Sequence, residues 1–302
     1  MPRPCGRRQP AEPLPGGGLC RWRRLASGHV ARSVPTEVSY LLGLLHTDGW
    51  HSGCVDHKGK VGIELHERDV DVLHEIRRVI PCYSALKRRR RRTNFADDYV
   101  SYQLLFSDQA VRIELARLGM RPGPKSLDVA PPKECGLVSR AYLRGVLDGD
   151  GSVGFTRTGA PFVSLVTASE PMARFFEDQV WQVCRVRRST QRNTRDGVFN
   201  VMVTNVSATL MAGHCWQAGD WPVMARKASA AAEVAAWKPP PEKAGRYGVK
   251  REKWTAAQDE LLFSHPLAEA AEILGRTMKS VSVRRWRLRH GITNGHQSPD
   301  HP

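Results

Sequence analysis

Two aspartates, Asp48 and Asp150, stand 102 residues apart at the same place in two alike segments. The segments are LLGLLHTDG, from Leu41 to Gly49, and LRGVLDGDG, from Leu143 to Gly151. Each has Gly third, a small residue seventh, Asp eighth and Gly ninth. Positions three and seven fall on one face of a helix, so Gly43 with Thr47, and Gly145 with Gly149, form stripes on which two helices can meet backbone to backbone. The closing Gly49 and Gly151 suit helix C-termini that turn sharply into strands. Asp48 and Asp150 then come side by side at the negative ends of two helix dipoles, where each carboxylate is disfavoured. A hard cation removes that conflict. Mg²⁺ takes one or two carboxylates and completes its shell with water and phosphate oxygens, and metal-assisted displacement at phosphorus is chemistry that such a pair supports. An Asp before Gly also caps turns, but duplication in matching contexts favours the chemical reading.

The elements that must position this pair repeat as well. The first copy reads as a helix from Thr36 to Asp48, strands flanking the turn at 58–60 with Val61, Ile63 and Leu65 alternating, and a helix carrying Leu73, Ile76 and Ile80. A basic run, Lys87, Arg88, Arg89, Arg90, Arg91 and Arg92, precedes a strand with Val100, Tyr102, Leu104 and Phe106, and a helix from Gln109 to Leu118 closes the copy. The second copy predicts a helix from Ser139 to Asp150 and strands at 153–157 and 162–167. A helix through Met172, Phe176 and Val180, a strand through Phe199, Val201 and Val203, and a helix from Val206 to Trp216 follow. Two αββαββα repeats, at about 35–125 and 138–237, make an α+β domain with two antiparallel sheets, each covered by helices on one face only.

Composition narrows the partner. The 302 residues carry 46 Lys+Arg against 30 Asp+Glu, a formal net charge of +16, and 41% are hydrophobic, enough for a core. The surplus is mostly arginine, whose planar fork suits phosphates and guanine edges. No apolar run is long enough for a membrane helix, and the expected location is cytoplasmic, with access to DNA. The seven scattered cysteines form no Cys-x-x-Cys pair, which argues for reduced thiols, and Cys54, His57 and His66 make no convincing zinc set. Residues 1–34 read as a basic arm, 238–252 as a Pro-rich linker, and 292–302 as a polar tail.

Residues 253–291 read as a small all-α module. Thr255 caps a first helix, Pro266 opens a second that ends at Gly275, and Thr277 caps a third with Val281 and Trp286 on its apolar side. That third helix also bears Lys279, Arg284, Arg285 and Arg287.

The doubled motif resembles that of LAGLIDADG homing endonucleases in their single-chain, two-motif form, over about residues 35–237. The C-terminal module is similar to Myb-like or homeodomain-like helix-turn-helix units, whose third helix enters the major groove. The resemblance implies the LAGLIDADG fold and monomeric, site-specific cleavage of double-stranded DNA at a long, largely asymmetric target. It also implies a site for Mg²⁺ or Mn²⁺ made by Asp48, Asp150, Gly49 and Gly151. It places the bare sheets over the major groove, which makes the basic run, Gln103, Arg157 and Asn200 candidate DNA contacts, with Glu64, His66, Tyr99 and Ser101 beside them. A Lys or Arg near the phosphates is implied too, with Lys125 and Lys227 as candidates. His46 replaces the usual Asp at the sixth position of the first motif, whereas Asp148 keeps it in the second; His46 is either an interface hydrogen-bonding residue or a tolerated substitution. The alternatives are a cleavage-inactive DNA-binding transcriptional regulator and an intron-splicing maturase that binds RNA. A bacterial or phage gene, intron-encoded or free-standing, is expected, and no splicing domain surrounds the repeats to suggest an intein.

Overall fold

The computed structural model describes residues 34–93, 97–132, 136–241 and 254–291. The expected arm, apart from Val34, the expected tail, and the expected linker beyond Pro241 lie outside the described residues. The contacts divide the chain into two units, Met1–Tyr247 and Gly248–Pro302.

In the larger unit, α1 (Thr36–Asp48) leads into the hairpin β1 (Gly49–Gly53) and β2 (Gly59–His66), then α2 (Val70–Val79), the hairpin β3 (Ser84–Arg91) and β4 (Tyr99–Phe106), and α3 (Gln109–Arg117). The second copy runs α4 (Ser139–Gly149), β5 (Gly151–Phe155), β6 (Pro161–Thr167), α5 (Glu170–Cys184), β7 (Phe199–Thr204) and α6 (Val206–Cys215). Both sheets are antiparallel, in the orders β1-β2-β4-β3 and β5-β6-β7. Val61, Ile63 and Leu65, and Val163, Leu165, Val201 and Val203, face helices and are buried. The alternate residues form the opposite faces, as the two-residue period of a strand requires.

The segment Val38–His46 of α1 is buried on every side. Its Ser-Tyr-Leu-Leu-Gly-Leu-Leu run is apolar all round rather than on one stripe, the pattern of an interior helix. α1 crosses α4 at the glycines. A Cβ added to Gly43 would lie 2.9 Å from the Val146 amide nitrogen and closer still to the Tyr142 carbonyl oxygen; one on Gly145 would lie 2.9 Å from the Leu44 nitrogen and 3.1 Å from the Gly43 Cα.

Three expectations for the larger unit need correction or refinement. Gly49 does end α1 and turn the chain into β1, as expected, but it is extended, with φ −87° and ψ 163°. A Cβ there would fall 2.6 Å from the Leu45 carbonyl oxygen, and Gly151 meets Leu147 in the same way, so close approach rather than turn conformation demands these glycines. Second, the second sheet has three strands among the described residues and no counterpart of β3. Residues 185–198 are irregular; Arg185 is left-handed at φ 55°, and the Thr190 backbone is held by Glu177 Oε1 at 2.5 Å and Arg174 at 3.3 Å instead of a strand partner. Third, the strand expected at 153–157 is β5, Gly151–Phe155, which leaves Arg157 in the exposed turn before β6. A helix the sequence reading did not name, α7 (Ala225–Ala236), follows α6; its alanine-rich composition, the strongest helix former, was the available signal.

The smaller unit holds α8 (Ala256–Ser264), α9 (Leu267–Ile273) and α10 (Met278–Arg289) around Leu262, Ala270, Ala271 and Val281. Thr255 and Gln258 form a reciprocal capping box at α8. The inward stripe of α10 includes Val281, Arg284 and Leu288, at helical spacing. Trp286 lies off that stripe and is 54% exposed, contrary to the expectation.

Replacing Gly43 or Gly145 with Ala is expected to destabilise the protein by about 1–3 kcal/mol, the cost of overpacking. Gly213→Ala on α6, where the nearest atom is 3.8 Å away, is expected to be neutral or to stabilise by up to about 1 kcal/mol through helix propensity. Thermal unfolding of the three variants checks both signs.

Candidate active site at the motif-helix ends

The glycine contact brings the C-termini of α1 and α4 together. Asp48 Oδ2 lies where it would be 3.1 Å from a Cβ on Gly149, so its carboxyl abuts the residue preceding Asp150. The Asp48 carboxyl is pushed up to about 6, by burial first and then by the Asp150 charge, against the partial relief of Lys227 and Lys125. Asp150, at the surface, is also raised by desolvation, with both lysines pulling it down. The four groups form one electrostatic cluster.

Each lysine closes a helix end. Lys125 Nζ donates to the carbonyls of His46 at 2.9 Å and Thr47 at 2.8 Å. Lys227 Nζ, at the start of α7, is within 2.6–3.1 Å of the carbonyls of Leu147, Asp148, Gly149 and Gly151. These positive groups counter the helix dipoles where the aspartates aggravate them. Burial lowers both lysines, Lys227 to about 8. The Gly151 carbonyl, expected at the metal site, lies 2.8 Å from Lys227 Nζ. Lys125 and Lys227 are 102 residues apart, the offset of the aspartates; comparing offsets would have marked them as a symmetric pair.

The same offset relates two cross-helix bonds. Tyr40 Oη donates to Asp148 Oδ2 at 2.8 Å, and Tyr142 Oη lies 2.7 Å from His46 Nδ1. Each tyrosine directly precedes one motif and meets the sixth position of the other. His46 is therefore an interface hydrogen-bonding residue; burial first, then Lys125, lowers it to about 3, so the ring is neutral. Asp148 also accepts from Trp216 Nε1 at 2.9 Å and the Met224 amide at 3.0 Å. The sixth position is thus part of the interior of the helix pair. Sequence reasoning did not single out Tyr40 or Tyr142, although their equal offset was visible.

Beside the pair is a cavity of about 140 Å³ lined by His46, Thr47, Lys125, Asp150, Thr167 and Val198, among others. A cation fits here by its chemistry. Two carboxylates are held in mutual repulsion, but among the described residues no cluster of three or more His, Cys, Asp or Glu is formed, so an ion held here would have to draw its remaining ligands from water and phosphate.

The candidate nucleic-acid contacts separate by face. On β3, Lys87, Arg89 and Arg91 are in register with Gln103, Ser101 and Tyr99 on the face opposite the helices. Arg88 and Arg90 have the other parity, and Arg90 is paired with Asp98. Arg92 lies beyond the strand, 2.8 Å from Asp97. The run is therefore not one uniform contact surface. Asn200 and Arg157 are exposed. In the smaller unit Lys279 and Arg287 are exposed, Arg285 is half-buried with its guanidinium 2.6 Å from the His265 carbonyl, and Arg284 is buried in a two-bond pair with Asp259 at 2.8 and 2.6 Å. Arg284 takes the place of an interior residue, buried and with one edge of its guanidinium bonded to Asp259.

No family model matches the chain, and no curated protein sequence matches it. Solved structures similar to it are LAGLIDADG homing endonucleases and WhiA. The homing endonuclease I-WcaI bound to its DNA recognition sequence shares 12% identity over 71% of this chain and 93% of that one, with a TM-score of 0.48. I-LtrWI, a LAGLIDADG homing endonuclease bound to target DNA, shares 11% over 66% and 88%, with 0.42. Full-length DUF199/WhiA from Thermatoga maritima shares 9% over 92% and 98%, with 0.39.

The raised Asp48 predicts a pH dependence. Its folded value, about 6, exceeds the ordinary 3.8, so the folded state holds the proton more tightly and stability falls as pH rises from about 4 to about 6. Asp48→Asn is expected to flatten that slope and raise the melting temperature at pH 7, as read by thermal melts across pH.

Proposed function

We propose that this chain is a site-specific, divalent-cation-dependent DNA endonuclease of the LAGLIDADG type, working as a monomer on double-stranded DNA. One observation carries the reading: two carboxylates meet at the ends of crossed, glycine-lined helices, beside a first sheet whose bare face presents basic and polar side chains. Asp48 and Asp150 are the residues that would hold Mg²⁺ or Mn²⁺. Bound there, the cation supplies neutralisation of charge developing at the scissile phosphate. Lys227 has three N–H donors, all engaged by carbonyls, so its part is to fix the α4 end and hold positive charge near Asp48. Lys125 makes two such bonds and retains one donor beside the cavity that Asp150 lines; we read it as the donor to a phosphate oxygen.

The faces of β2, β3 and β4 supply Lys87, Arg89, Arg91 and Gln103 for the major groove, and β7 supplies Asn200. The C-terminal unit, read as a helix-turn-helix, adds contacts through Lys279 and Arg287 of α10. In this reading the neutral, buried His46 belongs to the helix interface and not to the reacting groups, so its departure from the usual motif leaves cleavage intact.

Incubation of a randomised target library with the full chain is expected to yield cut products with Mg²⁺ and none with excess chelator. Asp48→Asn and Asp150→Asn should each lower cleavage by roughly 100-fold or more while duplex binding persists. Binding without cleavage by the wild type under all divalent cations would favour a DNA-binding regulator, and preference for RNA a splicing role. Mg²⁺ is also expected to raise the wild-type melting temperature at pH 7, an effect that Asp48→Asn removes.

A further inference from the structure

The bare face of the first sheet contains one carboxylate, and it is unusually well engaged. Glu64, on β2, is in register with Gln103 of β4, which is in register with Lys87 of β3. Glu64 Oε1 accepts from Ser101 Oγ at 2.5 Å and lies 3.1 Å from the Arg91 guanidinium; Oε2 accepts from Gln103 Nε2 at 2.6 Å and from Arg89 at 3.2 Å. Each oxygen thus accepts from one neutral donor and lies against one guanidinium, which leaves the carboxylate little free acceptor capacity. Arg91 is further fixed over the Tyr99 ring at 5.5 Å, and that ring meets His66 edge-on at 5.2 Å. Arg89 and Arg91 each remain 46% exposed in their side chains, whereas Glu64 is 17% exposed.

This arrangement is a poor one for holding phosphates, because a central negative charge repels them and reduces the field of both arginines. It is equally poor for reading cytosine, whose amino group needs a free acceptor. It suits base readout by arginine: a guanidinium has five donors in a rigid fork, Glu64 engages one side of it, and a partner that pre-orients the fork removes part of the ordering cost of binding. A bidentate bond to guanine O6 and N7 is the commonest specific contact that such a fork makes.

We propose that Glu64 is a specificity-determining positioning residue, which aims Arg89 and Arg91 at guanines in the major groove and sacrifices general DNA affinity to do so. The inference rests on the nuclease reading only in taking the first sheet's bare face as DNA-facing. Glu64 trades strength for selectivity, and the two effects of its removal have opposite signs.

The test is selection of bound duplexes from a random library by the full chain, without divalent cation, alongside affinity for random-sequence duplex over a salt series. Wild type is expected to enrich guanine at positions that Arg89→Ala and Arg91→Ala each lose. Glu64→Gln should cut guanine preference there roughly tenfold, while affinity for random duplex rises severalfold and its salt dependence steepens by about one phosphate contact. Glu64→Asp keeps the charge but cannot span both arginines. It should lose guanine preference without gaining random-duplex affinity, and it carries the test if the Gln variant does not fold. Unchanged guanine preference in both variants overturns the proposal, as does a lost preference for cytosine, which would make Glu64 a direct reader. A wild type that binds no duplex overturns the DNA-facing reading of the sheet, and this inference with it.

Discussion

The contact between Gly43 and Gly145 is the constraint on which the rest depends. With no side chain at either position, α1 and α4 approach until backbone meets backbone, and any Cβ would strike the opposite helix. That approach makes both helices interior, fixes the two sheets on either side of them, and leaves the helix C-termini adjacent. Asp48 and Asp150 are close because they end those helices. Their repulsion is a consequence of packing, opposed locally by Lys125 and Lys227, which bind the terminal carbonyls that would otherwise add to the negative field.

The larger unit repeats its skeleton and is asymmetric in its chemistry. The offset of 102 residues relates the aspartates, the capping lysines, the tyrosines and the sixth motif positions. Within that frame, one tyrosine meets a carboxyl that accepts three hydrogen bonds and the other a neutral imidazole. One lysine is spent on four carbonyls and the other on two. The first sheet has four strands and a charged face; the second has three, and its outward residues include Val166 and Met202, both about 40% exposed.

The doubled repeat and the helix–helix glycines were legible in the sequence because they are spacing rules: small residues four apart, and a fixed interval between copies. Most elements followed from apolar periodicity. The missing fourth strand was not legible, since the arginines at 185–192 resemble those of β3 in composition and differ only in what their backbone binds. Nor was the split of the basic run, which needs the register of β3 against β4. Arg284 could not be separated from its neighbours without Asp259, its partner 25 residues earlier on α8. The place of Gly49 and Gly151 at helix ends was legible, but the close contacts with Leu45 and Leu147 that demand glycine there depend on backbone geometry.

Packing holds the Asp48 and Asp150 carboxyls in one electrostatic site. Titration of the aspartate side-chain carboxyl carbons by NMR tests it directly, in the wild type and in Asp150→Asn without divalent cation. Asp48 is expected to titrate near 6 and to move down when Asp150 loses its charge, while staying above the ordinary range because it remains buried. An Asp48 that titrates as an ordinary carboxylate, or that ignores the substitution, would contradict the claim.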